Sequence, residues 1–316
     1  MKKIITLVFL FAIAALQAQG KAGDSSGITL TAYMSDQIDG FPAMAKNNML
    51  DKLSQIGMAN GMGGNPGSRF IITANVVVMS KDITPTVPPM QAVTLGVTLY
   101  IGDGLEGTKF ASQSVTLKGV GENETKAYIS ALKGLRVNDP QYQTFIEKGK
   151  NQIMSYYNSK CDQIIKDAKN LAAQGQYDEA IYKLAGVPDA TTCYAKSSEA
   201  ILPIYKLQIQ KDCQKNLALA TNAWNANQNS EGATAAAEYL AMIDPAAPCF
   251  GSAKDLSNRI AKAILARDNK EWEFQMKLAQ AEIDDRKATL QAARDIGVAY
   301  GNGMSKATIY NVRGWW

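Results

Sequence analysis

Four cysteines constrain this chain more than any other feature, because they fall as two pairs that bound matching stretches. "CDQIIKDAKNLAAQGQYDEAIYKLAGVPDATTC" runs from Cys161 to Cys193 and "CQKNLALATNAWNANQNSEGATAAAEYLAMIDPAAPC" from Cys213 to Cys249. Cys161 aligns with Cys213, Ala168 with Ala220, Asn170 with Asn222 and Glu179 with Glu231, and the offset between copies rises from 52 residues to 56 at Cys193 and Cys249. Pro188 and Pro245 precede the closing cysteines, and Tyr194 and Phe250 follow them. The spacing predicts an internal repeat of two helical hairpins. In the first copy a helix from Cys161 to Gln174 runs ~21 Å out and a second of ten residues returns ~15 Å, at 1.5 Å per residue. Gly186 to Cys193 covers the difference, so Cys193 comes within the ~5.5 Å Cα separation that a disulfide needs. Pairing 161 with 193 and 213 with 249 is the one connectivity of three that staples each repeat to itself. A zinc or redox site calls for closer Cys-x-x-Cys pairs; free buried thiols and a metal are the alternatives to two disulfides.

The compartment follows from the other end. "MKKIITLVFLFAIAALQAQ" places Lys2 and Lys3 before an apolar run from Ile4 to Leu16, the pattern of a secretory signal peptide with cleavage expected after Ala18. That run is shorter than the ~20 residues of a membrane-spanning helix, and no second run of that length occurs, so the mature protein is expected to be periplasmic or secreted, without a transmembrane segment. Taking Lys2 and Lys3 from the 33 basic residues leaves 31 against 29 acidic ones, a balance that argues against nucleic acid as a partner.

The chain contains no histidine, which removes Ser-His-Asp and Cys-His catalysis, His-ligated zinc and histidine pH switches together. Neither a Walker loop nor a G-x-S-x-G elbow occurs. No catalytic residue, metal ligand or cofactor is expected.

Residues 19–138 read as a small α+β domain. "ITLTAYM" (28–34) alternates as a half-buried strand, and "FPAMAKNNMLDKLSQIGM" has helical spacing at Met44, Met49, Leu53 and Ile56. "RFIITANVVVMS" (69–80), "QAVTLGVTLYIGD" (91–103) and "TKFASQSVTLKG" (108–119) are strand-like, and "ENETKAYISALKGL" (122–135) is helical again. The order β-α-β-β-β-α predicts a sheet with two helices on one face. Two loops stand out. Gly57 to Arg69 has five glycines and a proline but no Lys-Ser/Thr pair, so it reads as a flexible connector before a ligand loop. Lys81 to Gln91 carries Pro85, Pro88 and Pro89, which favour extended polyproline geometry and mark a candidate partner-binding edge.

The segments "NMLDKLSQI", "RFIITANV" and "GVTLYIGDGLEGTKFASQSVTLKGVGENETKAYISALKGL" resemble the periplasmic domain shared by the curli secretion channel CsgG, Lpo-type activators of peptidoglycan synthases and FlgT-type flagellar assembly proteins. Arg69, Phe70, Asp103, Gly107, Gly119 and Gly121 carry the resemblance, over about 110 of the 316 residues. The proline-rich insertion after Ser80 departs from that pattern, and the lipid-anchoring cysteine and channel hairpins are missing. The resemblance therefore implies an envelope assembly or partner-binding domain rather than a pore.

From residue 139 to 300 the pattern is helical, with Pro140 at the seam. Apolar positions from Phe145 to Ala172 follow one helical face, predicting one helix that ends at Gly175; "QYDEAIYKLAGV" is a second, stopped by Gly186 and Pro188. "LAAQGQYDEAIYKL" is similar to the turn of a tetratricopeptide repeat, which implies TPR-like packing. Leu256, Ile260, Ile264, Trp272, Met276, Ala279, Ile283, Leu290 and Ala293 line one face of a final helix of ~45 residues, either packed along the hairpins or serving as a partner-binding arm through Trp272. Its Glu271, Glu273, Glu282, Asp284 and Asp285 read as a solvated face. The tail 301–316 ends in Trp315 and Trp316, either as a disordered end or as a plug docking on its own body or on another subunit.

The expectation is thus a non-catalytic, protein-binding or structural component of a cell-envelope assembly, peripheral to the outer membrane, with protein partners and possible self-association. The alternative is a carboxylate-dependent envelope hydrolase acting on glycan or peptidoglycan.

Overall fold

The computed structural model describes residues 27–35, 40–64, 68–268, 286–304, 310–312, 314 and 315. The fold is α+β, and it divides into two compact units.

The first unit holds the described residues up to Tyr157, Pro188–Thr191 and the C-terminal segment from Tyr310. Its elements are β1 (Leu30–Tyr33), α1 (Ala43–Ala59), β2 (Phe70–Ile83), β3 (Gln91–Asp103), β4 (Thr108–Gly121), α2 (Glu124–Leu132) and α3 (Pro140–Ser159, the last two residues beyond the unit). The sheet order is β1-β2-β3-β4. β1 lies parallel to β2, pairing Leu30 with Phe70 and Tyr33 with Thr73, as a strand reached by a helical crossover does. β2, β3 and β4 form an antiparallel meander, with Phe70 opposite Asp103 and Gln91 opposite Gly121.

Alternation along β3 decides which face is core. Val93, Leu95, Val97, Leu99 and Ile101 are buried, while Thr94, Gly96 and Thr98 between them are partly open. α2 lies directly on this face, because Gly119 and Gly121 have no side chain to hold it off. A Cβ on Gly119 would come within 2.2 Å of the Ala131 nitrogen, and one on Gly121 within 2.4 Å of the Ala127 nitrogen. Asn123 caps α2 by accepting from the Lys126 N–H at 2.9 Å.

α3 also belongs to this unit up to Tyr157, although the sequence pattern assigns it to the helical part that begins at 139. Its Phe145, Ile146, Ile153 and Tyr157 are buried, and Gly149 lets it approach Ile101, whose Cδ1 would lie 2.6 Å from an added Cβ. The helix expected to run on to Gly175 is interrupted at Lys160, next to the point where Asn158 Oδ1 accepts from the N–H and hydroxyl of Thr192.

The second unit comprises α4 (Cys161–Ala173), α5 (Tyr177–Ala185), α6 (Cys193–Ala226), α7 (Ser230–Ala241), α8 (Phe250–Asp268) and α9 (Arg286–Met304). Gly175 ends α4 with φ +78°, a conformation that costs a side-chain-bearing residue energy. The repeat is visible in the packing. Ala180, Leu184 and Val187 are buried in one copy, and Ala236, Leu240 and Ile243, each 56 residues later, are buried in the other. The two hairpins share α6, a single helix of 34 residues, where the sequence pattern suggested a separate start at Cys213.

Both expected disulfides are present, 161–193 with Cα atoms 5.4 Å apart and 213–249 with 6.0 Å. The expected C-terminal helix is described as α8 and α9. Leu256, Ile260 and Ile264 of α8 join the second hairpin's core, and Ala293 of α9 joins the first. A Cβ on Gly297 would lie 3.2 Å from the Tyr182 Cα, so α9 packs closely on α5. Trp272 and the five carboxylates of that segment lie outside the described residues. Two disulfides fit an extracytoplasmic protein; no helix among the described residues is long and apolar enough to cross a membrane.

Candidate functional site

The turn between β3 and β4, in the stretch "IGDGLEG", carries the densest polar network of the first unit. Asp103 is 1% exposed, and its Oδ1 accepts from the Leu105 and Glu106 N–H groups at 2.9 and 3.0 Å. Its Oδ2 takes the Arg69 Nε–H at 2.5 Å, and Arg69 Nη2 reaches Glu106 Oε1 at 2.7 Å. The Tyr157 hydroxyl approaches Asp103 Oδ2 at 3.4 Å. Burial works against the Arg69 charge, but Tyr157, Asp103 and Glu106 outweigh it and hold the guanidinium above its ordinary range. Burial likewise pushes the Tyr157 hydroxyl well above the usual phenol value, with Arg69 opposing. Arg69 is therefore a cation and Tyr157 a neutral phenol at neutral pH, and the carboxyl groups of Asp103 and Glu106 are engaged by Arg69 and the turn N–H groups. The cluster's effect is to hold the turn rigid. Gly107 closes the turn with φ +74° and an N–H to the Asp103 carbonyl at 2.9 Å.

The C-terminal segment lies across this turn. Tyr310, Val312 and Trp315 are buried against Ile71 and Tyr100, with Tyr33 and Leu105 at the edge. The Tyr310 ring meets Tyr33 edge-on at 4.9 Å, and its hydroxyl donates to the Ser68 carbonyl at 3.1 Å. The Asn311 N–H donates to the Gly104 carbonyl at 2.5 Å, the Trp315 indole N–H to the Gly107 carbonyl at 2.8 Å, and Lys109 Nζ to the Trp315 carbonyl at 3.1 Å. Lys109 Nζ also sits 5.1 Å from the Tyr100 ring centroid.

Three glycines shape the groove for this segment. A Cβ on Gly104 would stand 2.3 Å from Tyr310 Cδ1, one on Gly102 2.2 Å from Trp315 Cη2, and one on Gly107 2.9 Å from Asn311 Nδ2. Gly107 stands in the sequence as one of the residues that carry the family resemblance, and no local pattern announces the groove. The available signal was three glycines around a strand end together with an aromatic-rich segment some 200 residues away.

The candidate partner-binding residues separate accordingly. Trp315 is 3% exposed and buried against residues of its own unit, and Trp316 lies outside the described residues with Trp272. Pro85, Pro88 and Pro89 are exposed. Their loop is a compact series of bends rather than the expected extended polyproline stretch. The Thr84 N–H donates to the Met90 carbonyl at 2.8 Å, the Met90 N–H to Thr84 Oγ1 at 3.1 Å, and the Thr86 hydroxyl to the Pro88 carbonyl at 2.9 Å, with Val87–Pro88 cis. These bonds close the loop on itself and leave Val87 fully exposed. Val77, Met79 and Ile83, at 55, 62 and 75% exposure, are further exposed apolar side chains of β2.

The glycine-rich loop of residues 57–69 is tied to β1: the Leu30 N–H donates to the Met62 carbonyl at 2.7 Å and the Gly64 N–H to the Leu30 carbonyl at 3.1 Å. Among the described residues no group of three or more His, Cys, Asp or Glu side chains gathers to hold a metal ion. No protein family, no curated protein and no solved structure matches the chain.

Proposed function

We propose that this protein is a secreted or periplasmic, non-catalytic binding component of a cell-envelope assembly, peripheral to the outer membrane, and that it meets a protein partner through the β2–β3 hairpin. The observation that carries the reading is the exposed apolar run Val77, Val78, Met79, Ile83 and Val87 beside Pro85, Pro88 and Pro89. Exposed apolar side chains concentrated on one hairpin mark a surface that a partner covers. Two stapled helical hairpins of TPR-like character, and the resemblance of residues 28–135 to CsgG, Lpo and FlgT-type domains, point to the same class of role. A hydrolase reading gains nothing from Asp103 and Glu106, whose carboxylates are taken up by one guanidinium and the turn N–H groups.

A photo-crosslinking amino acid at Val87, compared with the same group at exposed Glu147 on α3, tests this in the native envelope. The expected result is a discrete envelope-protein adduct from position 87 and none from 147. Equal or absent labelling at both positions removes the hairpin as the contact surface.

A further inference from the structure

The groove over the β3–β4 turn has the properties of a peptide-recognition site, and its occupant is a short linear segment. Six consecutive residues, Tyr310 to Trp315, bring two aromatic side chains and one aliphatic side chain to it. The bonds are of two kinds. Main-chain carbonyls of Gly104 and Gly107 take the Asn311 N–H and the Trp315 indole N–H, and two ring-shaped recesses at Gly104 and Gly102 take Tyr310 and Trp315. Backbone bonds supply affinity and shaped recesses supply selectivity, which is how extended peptides are read on sheet surfaces. The receiving surface is rigid before the segment arrives, because Arg69, Asp103 and the Leu105 and Glu106 N–H groups hold the turn without help from the tail.

None of these contacts depends on the segment belonging to the same molecule. Among the described residues the segment's side-chain hydrogen bonds reach Ser68, Gly107 and Lys109 of the sheet unit, at sequence separations of 206 to 242. Covalent connection contributes effective concentration and no contact of its own. We infer that the groove is a docking site for the segment Tyr310–Trp315 of a second copy of this chain, so that tails can be exchanged between molecules as an element is in domain swapping. This stands independently of the hairpin contact proposed above.

Two full-length variants separate the halves of the interaction. Tyr310→Ala/Trp315→Ala leaves the groove open and blanks the tail. Gly104→Ala blocks the Tyr310 recess and leaves the tail intact, since the three atoms nearest an added Cβ there, at 2.3 to 3.0 Å, all belong to the Tyr310 ring. Light scattering is expected to show each variant alone as a single small species and their equimolar mixture as a larger complex. A fluorescent peptide of residues 310–315 is expected to bind the Tyr310→Ala/Trp315→Ala chain at least ~10-fold more tightly than wild type, whose own tail competes at an effective concentration of about millimolar, and not to bind Gly104→Ala. An arm without any variant guards against misfolding: at millimolar concentration a photoreactive version of the peptide should label residues 102–109 of the wild-type chain. A mixture that stays unassociated, equal peptide binding to all three chains, or labelling outside residues 102–109 overturns the inference.

Discussion

The Trp315 indole N–H and the Gly107 carbonyl oxygen lie 2.8 Å apart across 208 residues of sequence. A surface turn is thereby tied to a segment that folds last in chain order. Trp315→Ala removes this bond and the ring that fills the recess at Gly102. Burying a large aromatic is worth ~3–5 kcal/mol in a closed core, and here the segment can leave as a unit, so a loss of about 2–3 kcal/mol is expected. Trp315→Phe should cost about 1 kcal/mol by leaving the ring contact and deleting the donor. Urea titration of both variants measures this; a Trp315→Ala midpoint within error of wild type rules out a docked tail in solution.

The Arg69–Asp103 pair is the most buried ion pair among the described residues of the sheet unit, with Asp103 1% exposed. Arg69→Met strands a buried carboxylate and is expected to cost ~3–5 kcal/mol. Asp103→Asn on the same background removes the stranded charge, so the double variant should recover a large part of the loss. A double-mutant cycle by chemical denaturation reads the coupling, and additive single losses would show that the two groups do not act together.

How much of this was legible in the sequence depends on whether the governing interaction is local. The disulfide pairing followed from the repeated spacing of Cys161, Cys193, Cys213 and Cys249, because two helix lengths and a connector determine where the cysteines meet. The strand and helix order of the sheet unit followed from periodicity. The end of the first long helix at Lys160 did not, since the apolar face continues through Ile153, Tyr157 and Cys161 while the interruption reflects contacts with residues 192 and 193. The tail groove was invisible for the same reason: glycine at 102 and 104 has no local meaning until Trp315 and Tyr310 are placed on it.

Tyr205 donates to Asp244 Oδ2 at 3.1 Å, and burial, followed by the Asp244 charge and this bond, pushes its hydroxyl up to about 12. In the unfolded chain it ionises near the ordinary value of ~10. The folded state holds the proton longer, so its contribution is complete below pH ~10 and is lost as pH rises through about 12. Stability of the helical unit is expected to be flat from pH 7 to 9 and to fall steeply above 10. Tyr205→Phe should lower stability at pH 7 by about 1 kcal/mol for the lost bond and flatten the alkaline fall. Circular dichroism melts across that pH range decide it; identical alkaline slopes would assign the loss to other tyrosines.

The disulfides close loops with sequence separations of 32 and 36 residues. Chain-entropy arguments give each ~3–4 kcal/mol. Cys161→Ser/Cys193→Ser and Cys213→Ser/Cys249→Ser should each lower the stability of the helical unit by about that amount, and peptide mapping under non-reducing conditions should show only the 161–193 and 213–249 pairs. Any crossed pair would break the assignment of one staple to each hairpin.

α2 approaches β4 closely at Gly119. Gly119 faces Ala127 and Ala131 backbone atoms at 2.2 to 2.7 Å from where a Cβ would stand, and these are helix main-chain atoms that cannot rotate away. Gly119→Val must therefore push α2 off the sheet and open the packing of Leu132 and Leu95, at a cost of ~3 kcal/mol or more. Gly96→Val offers the contrast, since a Cβ there meets nothing closer than the Met79 sulfur at 3.4 Å, on the face away from α2. Its added β-branched side chain should leave stability unchanged or raise it by up to ~1 kcal/mol. Thermal melts of the two variants side by side check both signs, and a Gly119→Val chain as stable as wild type would mean that α2 is not seated on β4 through that glycine.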